Sequence, residues 1–266
     1  MTGKAIDGVG VVQLPAGPDV RQRVGIFAHP GLWLSLGVML ALKLAVNLSG
    51  SMSFNTDEAL MAIMSRHILQ GARPIFRYRQ WYMGTVDNYL MALVFLILPQ
   101  TIFTARIVSL VVYSGVVITT YALAWRLSRS RFAATAAGLL AGVPPVMVTL
   151  YTSVSLGAWI EILLLNNLLW LVGWDILSSR RSGHGAWALA GALAGVGWWE
   201  LPLIITSAAP LALQGVSQFR RAMPWRKLGV MLGGFVVGAL PWFIAFTGSA
   251  NRIVADATGR LVAAGF

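Results

Sequence analysis

Ser53-Phe54-Asn55-Thr56-Asp57-Glu58 separates two apolar stretches, and how the chain is threaded on either side of it decides the fold. The polar stretch continues with Arg73-Pro74-Ile75-Phe76-Arg77-Tyr78-Arg79-Gln80-Trp81-Tyr82-Met83-Gly84 and then Asp87-Asn88. Before it runs Leu32 to Leu48, close to the ~20 apolar residues that cross a bilayer as helix. No small-residue cleavage site follows that run, so it reads as an uncleaved first transmembrane helix. Lys43 lies inside it. Either the side chain snorkels to the headgroups, or it faces the protein interior and helps hold a lipid phosphate.

The wider composition agrees. The chain is 57% hydrophobic and 11% charged, against roughly 25% charged in an ordinary soluble domain. A polytopic membrane protein follows. In such a protein a formal charge of +11 reads as basic cytoplasmic loops rather than as a nucleic-acid surface. No cysteine is present, which excludes disulfides and thiolate metal sites, and the scattered histidines form no metal-ligand spacing. Pro15, Gly17, Pro18, Asp19, Arg21 and Arg23 make residues 1–30 a short cytoplasmic tail.

Within the loop over residues 49–104, Asp57 to Gln70 has helical periodicity. Leu60, Met61, Met64 and Ile68 share one face, with Asp57 on their side and Glu58, Ser65 and Arg66 opposite. Too short to span, this segment is expected to lie at the membrane surface, ended by Gly71 and Pro74. Tyr89 to Leu98 is apolar but also short, and Pro99 stops it.

Whether Tyr89 to Leu98 crosses is decided by counting positive charges. If it does not, the crossings are Ala105 to Trp125 inward, Phe132 to Leu150 outward and Leu156 to Leu177 inward. A tight hairpin over Ala186 to Gln214 follows, broken around Glu200-Leu201-Pro202, and Leu228 to Phe246 exits. Twelve of the twenty Lys and Arg then fall in the cytoplasm: Lys4, Arg21, Arg23, and those from Arg126 to Lys227. The opposite threading puts three basic loops on the wrong side. The expected fold is therefore an all-α polytopic bundle of about seven transmembrane helices. The loop at 49–104 is outside, carrying amphipathic or re-entrant helices; the N-terminus is cytoplasmic, and residues 251–266 form a short outer tail.

Candidate chemistry collects in the outer loop. Asn55 can cap the helix, with Glu58 completing a capping-box-like pair and Asp57 favouring the positive helix end. Alternatively, Asp57 is a partly desolvated carboxylate suited to taking a proton. Arg66, Arg73, Arg77, Arg79 and Arg106 gather outside, against the positive-inside trend. They either pair with headgroups and nearby acids or hold a phosphate bidentately. Asp87 is either a first-turn acid or a second carboxylate facing Asp57 across a cleft. Phe76, Tyr78, Trp81 and Tyr82 offer flat surfaces for sugar rings or anchor the loop at the interface. Glu161 and Glu200 fall near the outer ends of their segments, where both can line one outer cavity; Asp175 falls near the inner end, with Asn166 and Asn167 between.

Asp57-Glu58, Gly71, Pro74, Gln80, Tyr82-Met83-Gly84, Asp87 and Arg106 form a pattern that resembles the GT-C superfamily of polytopic glycosyltransferases. The likeness is to the bacterial branch akin to protein O-mannosyltransferases and lipid A aminoarabinose transferases, over residues 31–250. The resemblance implies transfer of a sugar from a polyprenyl-phosphate carrier to a hydroxyl of a glycan, lipid or protein acceptor at the outer face of the cell membrane. It makes Asp57 the base, with Glu58 and Asp87 as further acidic site residues. Arg77, Arg79 and Arg106 become phosphate ligands, and Arg66, Arg73, Gln80, Tyr82, Glu161 and Glu200 complete the substrate site. Some members use a divalent metal and others none. Most are longer, so a short or truncated member is expected. The other reading is a non-catalytic membrane protein: a truncated relative, a lipid-binding subunit or a transporter.

Overall fold

The computed structural model describes residues 25–178 and 183–246. The expected N-terminal tail up to residue 24, Arg180 and Arg181, and the tail over residues 251–266 lie outside the described residues. Among the described residues every regular element is helical. The first is α1 (Pro30–Leu48), followed by α2 (Thr56–Leu69) and α3 (Val86–Ile97) in the segment over residues 49–104. Then come α4 (Ile102–Ser128), α5 (Arg131–Gly142), α6 (Val146–Ser153) and α7 (Trp159–Ser178). The remainder is α8 (His184–Glu200), α9 (Ile205–Phe219), α10 (Trp225–Gly238) and α11 (Leu240–Phe246).

The helices α1, α4 and α7 are long and apolar enough to cross a membrane, and the count rises to five if each of two bent pairs is one span. Two expected single spans are in fact broken. Phe132 to Leu150 becomes α5 and α6, bent by 70° at Val143-Pro144-Pro145, where neither proline can donate to the helix ladder. Leu228 to Phe246 becomes α10 and α11, bent by 61° at Ala239. The short helix α3 stays short, ending before Pro99. The break expected at Glu200-Leu201-Pro202 is present: α8 stops at Glu200, and a turn over Pro202–Ile204 leads into α9.

Side-chain pairings fix the helix directions. His29 packs on Tyr121 and Trp125, Lys43 on Tyr113, and Asn47 meets Arg106, so α1 and α4 are antiparallel. Gly31 faces Thr135, Ser35 faces Gly138 and Met39 faces Gly142, so α1 and α5 are parallel. Gly115 meets Leu164, Asn167 donates to Thr119 and Thr120 hydroxyls, and Arg126 pairs with Asp175, so α4 and α7 are parallel. Leu211 on Gly173 and Gln218 on Leu177 make α9 parallel to α7. The pair α8 and α10 is also parallel, joined by facing small-residue ridges. A Cβ at Gly191 or Gly195 would overlap the carbonyl oxygens of Met231 or Phe235, and one at Gly234 or Gly238 those of Ala188 or Ala192. Only hydrogen side chains permit this backbone approach, the packing device of membrane helices.

These directions sort the charges. The exposed or half-buried Arg129, Arg131, Arg220, Arg221, Arg226 and Lys227 gather at one end of the bundle, with the Arg126–Asp175 pair. At the other end stand α2, α3 and the described acids other than Asp175.

Lys43 corrects one alternative from the sequence. It is 1% exposed, so it does not snorkel. Its ammonium donates to the Thr152 carbonyl at 2.7 Å, to Thr152 Oγ1 at 2.8 Å and to Ser153 Oγ at 3.3 Å, and lies 4.0 Å from the Tyr113 ring centroid. It ties α1 to the end of α6, where helix carbonyls lack partners.

Candidate functional site

The loop folds around α2. Asn55 Oδ1 accepts the Glu58 backbone N–H at 2.9 Å, the expected N-cap. At the other end Gly71 has φ +100°, and Ala72 N–H bonds back to the His67 carbonyl, so the helix stops where the sequence placed its end. The helix phase is different from the one expected. Glu58, Met61, Met64, Ser65 and Ile68 are buried, whereas Asp57 is 59% exposed in its side chain.

The Glu58 carboxylate does not return to its own cap. It takes two 2.8 Å hydrogen bonds from Arg106 Nε and Nη2, a bidentate pair with both residues buried. Arg106 also donates to Asn47 Oδ1 at 3.2 Å and the Met52 carbonyl at 3.3 Å. The Arg106 guanidinium is thus committed to joining α1, α2 and α4. Both side chains, expected in the substrate site, are thus engaged with each other and with the chain around them. Desolvation is affordable for this pair because every charge has an opposite charge in hydrogen-bond contact.

Asp57 Oδ1 accepts from Arg77 Nη2 at 2.7 Å, and Arg77 is almost wholly buried. Arg77 Nη1 donates to the Leu156 carbonyl at 3.1 Å, and its Nε is buried without a partner among the described residues. Gly157, at φ +91°, follows; a Cβ there would press within 3.3 Å of Arg77 Nη1. The turn carrying Arg77 is closed by hydrogen bonds from Arg77 N to Met83 O, Gln80 N to Arg77 O and Met83 N to Gln80 O. Arg79 takes φ +64° at its tip. So one end of the guanidinium is fixed to the α6–α7 turn and the other meets a carboxylate at the surface.

Behind Arg77 lie three buried acids. Asp87 is 1% exposed, Glu161 5% and Glu200 0%. Ser155 donates to Asp87 Oδ2 at 3.1 Å, and Val86 N–H donates to Glu200 Oε2 at 3.3 Å. Gly84 N–H bonds the Glu200 carbonyl at 2.9 Å, and a Cβ at Gly84 would overlap Glu200. Asp87 Oδ1, Glu161 Oε2 and Glu200 Oε1 have no hydrogen-bond partner among the described residues. Burial pushes the Asp87 carboxyl up to about 6, opposed by the Ser155 hydroxyl and the positive charge of Arg77.

Glu161 is near enough to Asp87 and Glu200 to feel their charges, but all three are buried, whereas the sequence led one to expect Glu161 and Glu200 to line an outer cavity. Asp87 does not face Asp57 across an open cleft; Arg77 bonds the one and acts electrostatically on the other. Arg66, Arg73, Arg79 and Tyr82 are exposed, and Gln80 is half-buried with an unpartnered Oε1. Phe76 is buried and Tyr78 bonds His67, which leaves Trp81 and Tyr82 as the exposed ring surfaces. Asn167 serves the α4–α7 contact. Ser155 and Gly157 were missed. A Gly between Ser155-Leu156 and an apolar helix is the signal that marked a sharp turn there. Among the described residues no group of three or more His, Asp or Glu is arranged to hold a metal ion.

Comparison of the chain with family models, with curated proteins and with solved structures finds no match.

Proposed function

We propose that the chain is a multi-pass membrane glycosyltransferase that takes a sugar from a polyprenyl-phosphate carrier at the outer face of a cell membrane and passes it to a hydroxyl acceptor. The observation that carries this reading is the Asp57–Arg77 pair. An exposed carboxylate is held in place by a buried guanidinium, at the bundle end opposite the basic loops.

Helix directions support seven crossings. The segments α1, α5, α8 and α10 run one way, and α4, α7 and α9 return, with α8 and α9 as short members. Positive-inside orientation then makes the end with Arg129, Arg131, Arg220, Arg221 and Arg226 cytoplasmic, and the Asp57 end external.

In the proposed reaction Asp57 takes the proton of the acceptor hydroxyl through Oδ2, since Oδ1 is occupied by Arg77. The acceptor oxygen attacks the anomeric carbon, the bond from that carbon to the phosphate oxygen breaks, and polyprenyl phosphate leaves with the electron pair. Arg66, Arg73 and Arg79, exposed on the same loop, are the groups suited to receive the phosphate. Trp81 and Tyr82 are suited to a sugar ring. Arg106 takes no part in binding.

The test is transfer of radiolabelled sugar from polyprenyl-phosphate donors by the intact protein and by Asp57→Asn. The expected result is transfer by the wild type and a loss of roughly 10²–10⁴-fold in the variant, the usual contribution of a general base. Equal activity in both rejects Asp57 as the base. No transfer by the wild type from any donor of the class rejects the transferase reading.

A further inference from the structure

An apolar cavity of about 410 Å³ lies among α7, α8, α9 and α10, within the roughly 300–1,000 Å³ of ligand pockets. Its walls include Leu169, Trp187, Leu211 and Phe235, and Gly173 and Gly215 leave them hollow. It sits in the half of the bundle opposite Asp57. The α7 residues that line it are the later ones and the α8 residues the earlier ones, while those of α9 and α10 run along most of both helices. Met223 and Pro224, in the turn between α9 and α10, are among its lining residues. Arg220, Arg221 and Arg226 flank those two residues and are exposed, and Trp225 beside them is 73% exposed. Asp175, the described acid at this end of the bundle, is paired with Arg126 at 2.8 Å.

We propose that this cavity is a binding site for one anionic phospholipid, with an acyl chain between α9 and α10 and the headgroup phosphate on Arg220, Arg221 and Arg226. The argument has three parts. A hollow lined by apolar side chains takes hydrocarbon rather than water. Three exposed guanidinium groups in the segment that carries the lining residues Met223 and Pro224 complement a phosphate, and guanidinium binds phosphate through paired donors. An exposed Trp at that level suits the headgroup region. The site is separate from the Asp57 loop, and it rests on the membrane reading but not on the transferase reading.

The experiment uses the full chain extracted from bilayers of mixed phosphatidylglycerol and phosphatidylcholine, with retained lipids counted by native mass spectrometry. One phosphatidylglycerol is expected, favoured by at least about tenfold, since each basic group near an anionic headgroup contributes about fivefold. Gly215→Leu points a side chain into the hollow, where a Cβ meets only Leu177 at 3.9 Å, and should abolish retention. Ala212→Phe should do the same. The triple variant Arg220→Gln, Arg221→Gln, Arg226→Gln should retain lipid without the preference. A measurement needing no filling variant is quenching by phosphatidylglycerol with brominated chains. The quenched fluorescence should include the Trp187 share, read as the difference between wild type and Trp187→Phe. The proposal is overturned by a wild type that retains no lipid or shows no preference, by filling variants that fold and still retain it, or by quenching unchanged in Trp187→Phe. A second copy of the chain or another polypeptide found in the hollow in place of lipid also overturns it.

Discussion

Asp57 and Glu58 are neighbours in sequence with opposite assignments, and paired substitutions separate them. Glu58→Gln removes one charge from a pair in which the carboxylate is 1% and the guanidinium 7% exposed. Arg106 keeps Asn47 Oδ1 and the Met52 carbonyl but loses the anion that met its Nε and Nη2 at 2.8 Å. An uncompensated buried charge of this kind costs about 3–5 kcal/mol. For a chain of this size each kcal/mol moves the midpoint by roughly 2–4 °C, so the fall should be roughly 6–20 °C. Asp57→Asn alters a pair whose carboxylate is 59% exposed, worth only about 0–1 kcal/mol. Its midpoint should move by no more than roughly 4 °C. The assay is thermal unfolding of purified protein in detergent, followed by intrinsic fluorescence and by size-exclusion survival after heating. The double variant Glu58→Met, Arg106→Met should recover much of the loss, because the desolvation cost disappears with both charges. A Glu58→Gln midpoint within ~2 °C of wild type would refute the structural role of the pair, and a large fall in Asp57→Asn would refute the division of labour between the two acids.

The raised Asp87 carboxyl makes a second prediction. Between its ordinary value near 3.8 and about 6 the folded state binds more protons than the unfolded state, so this group's contribution to stability is full below that window and lost as pH rises through it. The loss is on the order of 3 kcal/mol at most, and Asp87→Asn should flatten the midpoint-versus-pH curve between pH 4 and 7; parallel curves would contradict the assignment. The α8–α10 ridge supplies a third: Gly191→Val drives a side chain into the Met231 carbonyl and should destabilise by at least about 1–3 kcal/mol, whereas Gly229→Ala meets nothing within 4 Å and should be neutral or slightly stabilising by helix propensity. Similar midpoints for the two variants would show that the close approach is absent.

Much of the framework is legible residue by residue. Long apolar runs became α1, α4 and α7 because length and hydropathy alone set what can cross a bilayer. Asn55 marked the start of α2 and Gly71 its end, and Pro99 kept α3 short, since caps and prolines act through the local backbone. The break at Leu201-Pro202 was legible for the same reason. The bend at Pro144-Pro145 is encoded locally too, by two prolines inside the apolar run from Phe132 to Leu150.

Tertiary contacts decided the rest. Successive residues on a helix stand about 100° apart, and the apolar stripe of α2 is broad enough to admit two phases. Arg106, 48 positions beyond Glu58, selected the phase that buries Glu58 and leaves Asp57 outside. That choice also engages the Arg106 guanidinium with Glu58, Asn47 and the Met52 carbonyl. Lys43 could not be assigned from its own helix, because the carbonyl and hydroxyls that hold it belong to Thr152 and Ser153 at the end of α6. The nearness of Asp87, Glu161 and Glu200 depends on three segments converging, with Gly84 against Glu200, Ser155 on Asp87 and the charges of both acids felt at Glu161. The sequence by itself determined where most helices begin and end and which are long and apolar enough to cross a membrane, because those are sums over neighbouring residues. Which charge is buried and which stands at the surface was decided only when distant residues met, because a buried ion is tolerated only where its partner is.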